Sequence, residues 1–165
     1  MKTDTATARK NDPPADLELH RATPADREAL VDFYRRFEPK GASLGLPPHK
    51  EPERWLEALS GYPNFIVQKQ GTIVAHAVLC AEGDAGEVAV FVGHDYRGRG
   101  LGRCLLSELV AEARRLGLRR VWGLTELDNI PMLRLAHSLG FVAAEDPYEF
   151  TLDLKAAAAA QRRAA

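Results

Sequence analysis

Three glycines alternate with charged and apolar neighbours in Arg97-Gly98-Arg99-Gly100-Leu101-Gly102-Arg103, and this is the stretch of the chain best suited to chemistry on an anion. Glycines lack a Cβ, so a backbone rich in them can approach a phosphate closely, and the arginines add positive charge. Ahead of the stretch, Val88, Val90 and Val92 carry the β-branched preference of a strand. Behind it, Leu101, Leu105, Leu109, Ala113 and Leu116 recur at helical spacing, so the glycines sit at a helix start. Unpaired N–H groups and the positive end of the helix dipole gather there. The expected ligand is a phosphate or diphosphate.

The elements that must position this loop can be read in chain order. Residues 1–16 mix Thr, Ala, Lys, Asp and a proline pair without periodicity and read as a flexible leader. Leu17 to Arg21 alternates like a short strand. Thr23-Pro24 supplies an N-cap and a first-turn proline, and Leu30, Val31, Phe33, Tyr34 and Phe37 give a helix over 24–37 its apolar face. The proline- and glycine-rich stretch 38–50 reads as a loop, and a second helix is predicted over 52–59. Phe65 to Lys69 and Thr72 to Cys80 flank Gln70-Gly71 as a tight hairpin, and a turn at 83–86 leads into the strand that opens on Glu87. After the glycine loop and its helix, Arg119 to Thr125 reads as a strand reached by a crossover and therefore parallel to the one before it. Ile130 to Leu139 is a helix stopped by Gly140, and two strands near 141–144 and 148–154 close the domain. Residues 155–165 form an Ala-rich tail. The expectation is an α/β fold with a mixed sheet of six to seven strands flanked by about four helices, in a single domain over 17–154.

Whole-chain properties narrow the function. At 165 residues and 45% hydrophobic composition the chain supports one packed core, and a formal charge of −1 lacks the basic excess of a nucleic-acid binder. No run approaches the roughly 20 apolar residues of a membrane span, and the polar first residues lack a signal-peptide core, so a cytoplasmic protein with neither membrane nor nucleic-acid partner is expected. Cys80 and Cys104 do not form a metal-binding pattern and read as buried thiols; no metal is expected.

Arg97-Gly98-Arg99-Gly100-Leu101-Gly102, in its strand–turn–helix setting, resembles the Arg/Gln-x-x-Gly-x-Gly/Ala signature of GNAT (Gcn5-related) N-acetyltransferases. Asn129 followed by Leu139-Gly140-Phe141 resembles that family's second motif, and the order of elements over 17–154 is similar. The resemblance implies the acyl-CoA N-acyltransferase fold and acetyl-CoA as co-substrate. It also implies backbone hydrogen bonds from Val90, Phe91 and Val92 to the pantetheine arm, a diphosphate cradle formed by Gly98 to Arg103 with Arg97 at its edge, and a contact from Asn129 to the CoA arm. Two parallel strands splay in this family, here around Val92 and Trp122, with the thioester in the opening. A narrower likeness, through Glu87-Val-Ala-Val and Asn129-Ile-Pro-Met-Leu, is to the acetyltransferase domains of bacterial protein lysine acetyltransferases.

The resemblance implies direct transfer to a primary amine in a ternary complex, with a protein lysine as the leading acceptor. The alternatives are a small-molecule amine (polyamine, amino acid, aminoglycoside) or a non-catalytic acetyl-CoA sensor, and the assembly is a monomer or homodimer. A lysine-type amine is protonated near neutral pH, so attack on a thioester needs a general base. Glu87 is the preferred candidate, by its place on the donor strand and by the matching glutamate of the lysine acetyltransferases; the competing reading is a strand-end carboxylate paired with an arginine. Glu126 is second. His76 reads as a satisfied core or sheet histidine and His94 as an exposed turn residue. Where many of these enzymes place a tyrosine as general acid, this chain has Ala136, with His137 turned away; Tyr148 and Tyr96 are the alternatives, with packing as the competing reading of each.

Overall fold

The computed structural model describes residues 11–155; the first ten residues of the expected leader and most of the expected tail lie outside the described residues. The elements are β1 (Glu18–Arg21), α1 (Arg27–Arg36), α2 (Pro52–Leu59), β2 (Asn64–Lys69), β3 (Thr72–Glu82), β4 (Ala85–Val92), α3 (Leu101–Arg115), β5 (Arg120–Leu124), α4 (Ile130–Ser138), β6 (Val142–Ala143) and β7 (Glu149–Asp153). Seven strands form one mixed sheet in the order β1-β2-β3-β4-β5-β7-β6, with β4 and β5 as its parallel pair. The sequence-based outline therefore holds, with seven strands and four α-helices.

Local chemistry explains several boundaries. The helix expected from Pro24 begins as a 3-10 turn over Pro24–Asp26, where the Asp26 carboxylate accepts the Thr23 N–H at 2.8 Å, and becomes α-helical at Arg27. Gln70 and Gly71 both have positive φ, 48° and 79°, the geometry of a two-residue hairpin turn whose twist matches that of the strands. Gly140, at φ 91°, ends the last helix as the sequence suggests.

Two apolar clusters cover the two faces of the sheet. On one, Leu101, Leu105, Leu106 and Leu109 of α3 pack on Leu79, Val88, Val121 and Phe150, and each of those leucines is 1% exposed or less. At about 1.5–3 kcal/mol per fully buried side chain, this helix is held by its apolar stripe. On the other face, Phe33, Tyr34, Phe37 and Leu56 from α1, its C-cap and α2 meet Ile66, Ile73 and Phe91. Tyr34 stands edge-on to Phe33, Trp55 and Phe91.

A polar pin runs through that second cluster. Asn64 donates its amide N–H to the carbonyls of Leu59 and Tyr62, which fixes its Oδ1 as the acceptor from His76 Nε2 at 2.7 Å. His76 Nδ1 must then accept the Tyr34 hydroxyl proton, at 2.5 Å. His76 is 0% exposed, so the reading of a satisfied core histidine is correct. Burial depresses its pKa from 6.5 to about 3. Between those values the unfolded chain takes up a proton that the folded one refuses, so this residue lowers stability as pH falls, by about 1.4 kcal/mol per pH unit. His76→Gln is expected to be less stable at neutral pH yet to show a flatter dependence of unfolding free energy on pH in that window; equal slopes in denaturant titrations would refute the assignment.

Candidate functional site

Donor and acceptor requirements converge on β4. Its pairing with β5 is recorded at Ala85↔Arg120, Gly86↔Val121 and Glu87↔Trp122 and stops there, while β4 runs on to Val92 against β3. The strands thus part directly after Glu87, earlier along β4 than the expected position around Val92. Gly123 lets β5 come close at the apex: an added Cβ would lie 2.5 Å from Phe150 Cζ and 2.9 Å from the Val88 carbonyl oxygen. Beyond the apex one edge of β4 is unpaired.

Strand alternation decides what that edge offers. The Gly93 N–H bonds to Val74 O on β3, so in the antiparallel ladder the backbone groups of Phe91 and Ala89 also face β3, and those of Val90 and Val92 face the opening. Of the three residues expected to bond a pantetheine arm, Val90 presents its backbone groups and Val92 its N–H, whereas those of Phe91 are spent on the sheet. The Val92 carbonyl is already an acceptor, from Arg97 Nε at 3.1 Å. Phe91 contributes its ring to the α1 cluster instead.

The glycine loop supplies the other end of the site. Gly98 and Gly100 have φ of 72° and 83°, and Gly100 is the N-cap of α3. The first intrahelical bond runs from Cys104 N–H to Gly100 O, which leaves the N–H groups of Leu101, Gly102 and Arg103 without helical partners. A Cβ on Gly98 or Gly100 would meet no protein atom within 4 Å, so both glycines border open space. Gly102 is different: its Cβ would lie 3.0 Å from Leu135 Cδ2, so it serves the packing of α3 on α4. The arginines are engaged elsewhere. Arg97 also donates to Glu38 O at 3.3 Å, Arg99 donates to both oxygens of Asp16 at 2.8 and 3.0 Å, and Arg103 donates to Ser138 Oγ at 2.5 Å. The cradle is therefore chiefly a backbone N–H site, with less free guanidinium charge than the sequence suggests.

A cleft of about 720 Å³ joins the two ends, running from Val90 and Val92 past Met132 and Leu135 to Gly98, Gly100 and Arg103. Its dimensions suit an elongated ligand with an anionic end. A smaller space of about 130 Å³ occupies the opening itself, and Glu87, Val90, Thr125, Asn129 and Phe150 contribute to its walls.

Glu87 has neither a hydrogen bond nor an ion-pair partner among the described residues, and the arginine pairing considered from sequence does not occur. It is half-buried, and burial raises its pKa above the ordinary value of 4.5. A carboxylate in this state is a stronger base, as proton abstraction from an amine requires. Glu126 is already occupied, accepting the Leu44 N–H at 3.1 Å. Asn129 caps α4 by accepting the Met132 N–H at 3.3 Å and donates to Thr125 Oγ1 at 3.0 Å, so its amide is fixed on the wall of both spaces.

The remaining candidates fall outside the opening. Ala136 is 2% exposed in the core, His94 and His137 are exposed, and Tyr96 lies beside the glycine loop in contact with Arg99. Tyr148 is 40% exposed on a separate outer space. No tyrosine lines the inner opening. Cys104 is buried as expected, but Cys80 is only partly buried; it lies opposite Glu87 on β3, and burial together with that carboxylate raises its pKa to about 11. Among the described residues no three metal-ligating side chains cluster and no helix is long and apolar enough to cross a membrane.

Some functional positions escape sequence reading. Ser43, Leu44 and Leu46 belong to a strap over 38–50 that covers the opening, tied at Glu38 O by Arg97 and at Leu44 N by Glu126. Only its prolines and glycines were legible, and they mark a loop without saying where it lies. Thr125 carries no motif, and its importance comes from its place at the end of β5.

Comparison with known proteins bears on this site. A family model described as "Acetyltransferase (GNAT) family" matches residues 23–141. An L-methionine sulfoximine/L-methionine sulfone acetyltransferase of Salmonella typhimurium is 38% identical over 105 residues, covering 56% of this chain and 60% of the relative. The L-amino acid N-acyltransferase MnaT of Escherichia coli is 37% identical over 99 residues, covering 53% and 56%. The chain thus spans less than two thirds of the length of these curated relatives. Among solved structures, yncA from Salmonella typhimurium, determined with its cofactor acetyl-CoA, superposes with a TM-score of 0.68 at 26% identity over 84% of this chain and 94% of the other.

Proposed function

Since the chain belongs to the GNAT family of acetyltransferases, we propose that it transfers the acetyl group of acetyl-CoA to a primary amine of a small molecule. The observation that carries this reading is the partnerless, half-buried Glu87 at the apex of the β4–β5 opening, which adjoins a cleft ending in free helix N–H groups. The substrates in the names of the two curated relatives favour a small-molecule amine over the protein lysine that the sequence motifs brought forward.

Acetyl-CoA supplies an activated acetyl thioester. The residues present fit it: the N–H groups of Leu101, Gly102 and Arg103 suit a diphosphate, and the backbone groups of Val90 and the N–H of Val92 suit the amides of its arm. Glu87 takes one proton from the incoming ammonium, the freed nitrogen lone pair forms the N–C bond as the C–S bond breaks, and the second nitrogen proton passes to water as the amide forms. A thiol of pKa about 8.5 leaves as thiolate at modest cost, so the lack of a tyrosine at Ala136 is tolerable.

Steady-state thiol release with acetyl-CoA over a panel of amines tests the reading. Transfer is expected, with an acidic limb in the pH profile of kcat/KM lying above 4.5, since Glu87 must be ionised and its pKa is raised. Tight CoA binding without transfer to any amine would support a sensor instead.

A further inference from the structure

Charge is distributed unevenly along the site. The cations in the long cleft, Arg97 and Arg103, lie at its glycine-loop end. At the acceptor end, an outer space of about 470 Å³ is bordered by Gly41, Ala42, Glu126, Leu127, Asp128 and Tyr148. It shares Ala42, Glu126 and Asp128 with the long cleft, which in turn shares Ser43, Leu46 and Asn129 with the opening at Glu87. Among the described residues no Lys, Arg or His lines either acceptor-side space. A carboxylate thus stands at the inner end and two stand at the outer end. Leu44, Leu46 and Leu124 line the opening at Glu87, and Leu127 lines the outer space.

Resting on the acetyl-transfer reading above, we infer that the acceptor is a linear aliphatic diamine or polyamine rather than an α-amino acid. An α-amino acid bound with its amine at Glu87 brings its own carboxylate beside that group, with no lining cation to offset the repulsion and desolvation. A diamine matches the sequence of surfaces instead: the reacting nitrogen at Glu87, methylenes along the leucines, and the distal ammonium at Asp128 and Glu126. Asp128 has no side-chain partner among the described residues, and Glu126 keeps an oxygen free beyond its bond to Leu44 N–H. The reacting ammonium gives one proton to Glu87 before attack and the nitrogen loses a second to water as the amide forms, while the distal ammonium keeps its charge. The relatives named for methionine sulfoximine and for L-amino acids would differ from this chain in acceptor charge.

Three acceptors of matched length decide the matter: cadaverine, pentylamine and δ-aminovalerate, which differ at the far end in carrying a positive charge, no charge and a negative charge. L-methionine is added as an α-amino acid. With the wild-type protein and saturating acetyl-CoA, kcat/KM for cadaverine is expected to exceed that for pentylamine about tenfold, as for one charge-assisted contact, and δ-aminovalerate and L-methionine to fall below both. In the Glu126→Gln/Asp128→Asn variant the cadaverine-to-pentylamine ratio should drop to within about threefold, with an unchanged thermal unfolding midpoint reporting that the fold is intact. A wild-type preference for L-methionine or δ-aminovalerate over pentylamine, or a ratio unmoved in the variant, overturns the inference while leaving acetyl transfer in place. Absence of thiol release with every amine overturns both.

Discussion

Glu87→Gln is expected to lower kcat by about two orders of magnitude while leaving acetyl-CoA affinity nearly unchanged, the effect typical of removing a general base. The amide keeps the shape and the hydrogen-bonding oxygen of the carboxylate but cannot accept a proton from an ammonium. Because Glu87 holds no ion pair or hydrogen bond among the described residues, the change breaks no such contact there, and thermal stability should be equal or slightly higher once a half-buried charge is gone. The acidic limb of the pH profile should disappear with the carboxylate. Raising the pH should recover part of the rate, since more of the acceptor is then neutral before it binds. Turnover within threefold of wild type would remove Glu87 as the base.

Gly100→Val should abolish measurable acetyl-CoA binding. At φ 83° the position disfavours any Cβ by about 1–2 kcal/mol, and a branched side chain would project into the open space bordered by the N–H groups of α3. Gly102→Ala makes an informative comparison. Its Cβ meets the flexible end of Leu135 at 3.0 Å, so it should weaken stability modestly and affinity only indirectly. Calorimetric titration of both variants with CoA separates the roles, and near-wild-type affinity in Gly100→Val would contradict the cradle.

What was legible in the sequence was local. The leucine stripe of α3, the Gln70-Gly71 hairpin and the glycine loop each carry their cause within a few residues, and each lies where the pattern places it. The parallel pairing of β4 with β5 followed from the crossover after the loop. Relations between distant segments were not legible. The parting of β4 from β5 at Glu87 depends on Gly123 admitting Phe150 and the Val88 carbonyl, a contact between three strands. The neutralisation of Arg99 depends on Asp16, more than eighty positions away. The strap depends on Glu126, a residue considered for its basicity and found to be a tether. Cys80 read as a buried thiol on the general tendency of free cysteines to be buried, whereas α1 and α2 cover only part of that face of the sheet.

The alternation along β4 carries a constraint on how this chain can change. Odd-numbered side chains from Glu87 to Phe91 lie on the face covered by α1 and α2, and even-numbered backbone groups face the donor cleft, so one strand serves two faces of the site by parity alone. Deleting or inserting a single residue between the Gly83 hairpin and Val88 would exchange the two sets, turning Glu87 away from the opening and placing backbone groups already committed to β3 at the donor edge. Paired indels, or changes confined to the strap and the β6–β7 turn, keep the parity. New acceptor specificities are therefore best sought by recombining those two surface segments, with the length of β4 held constant.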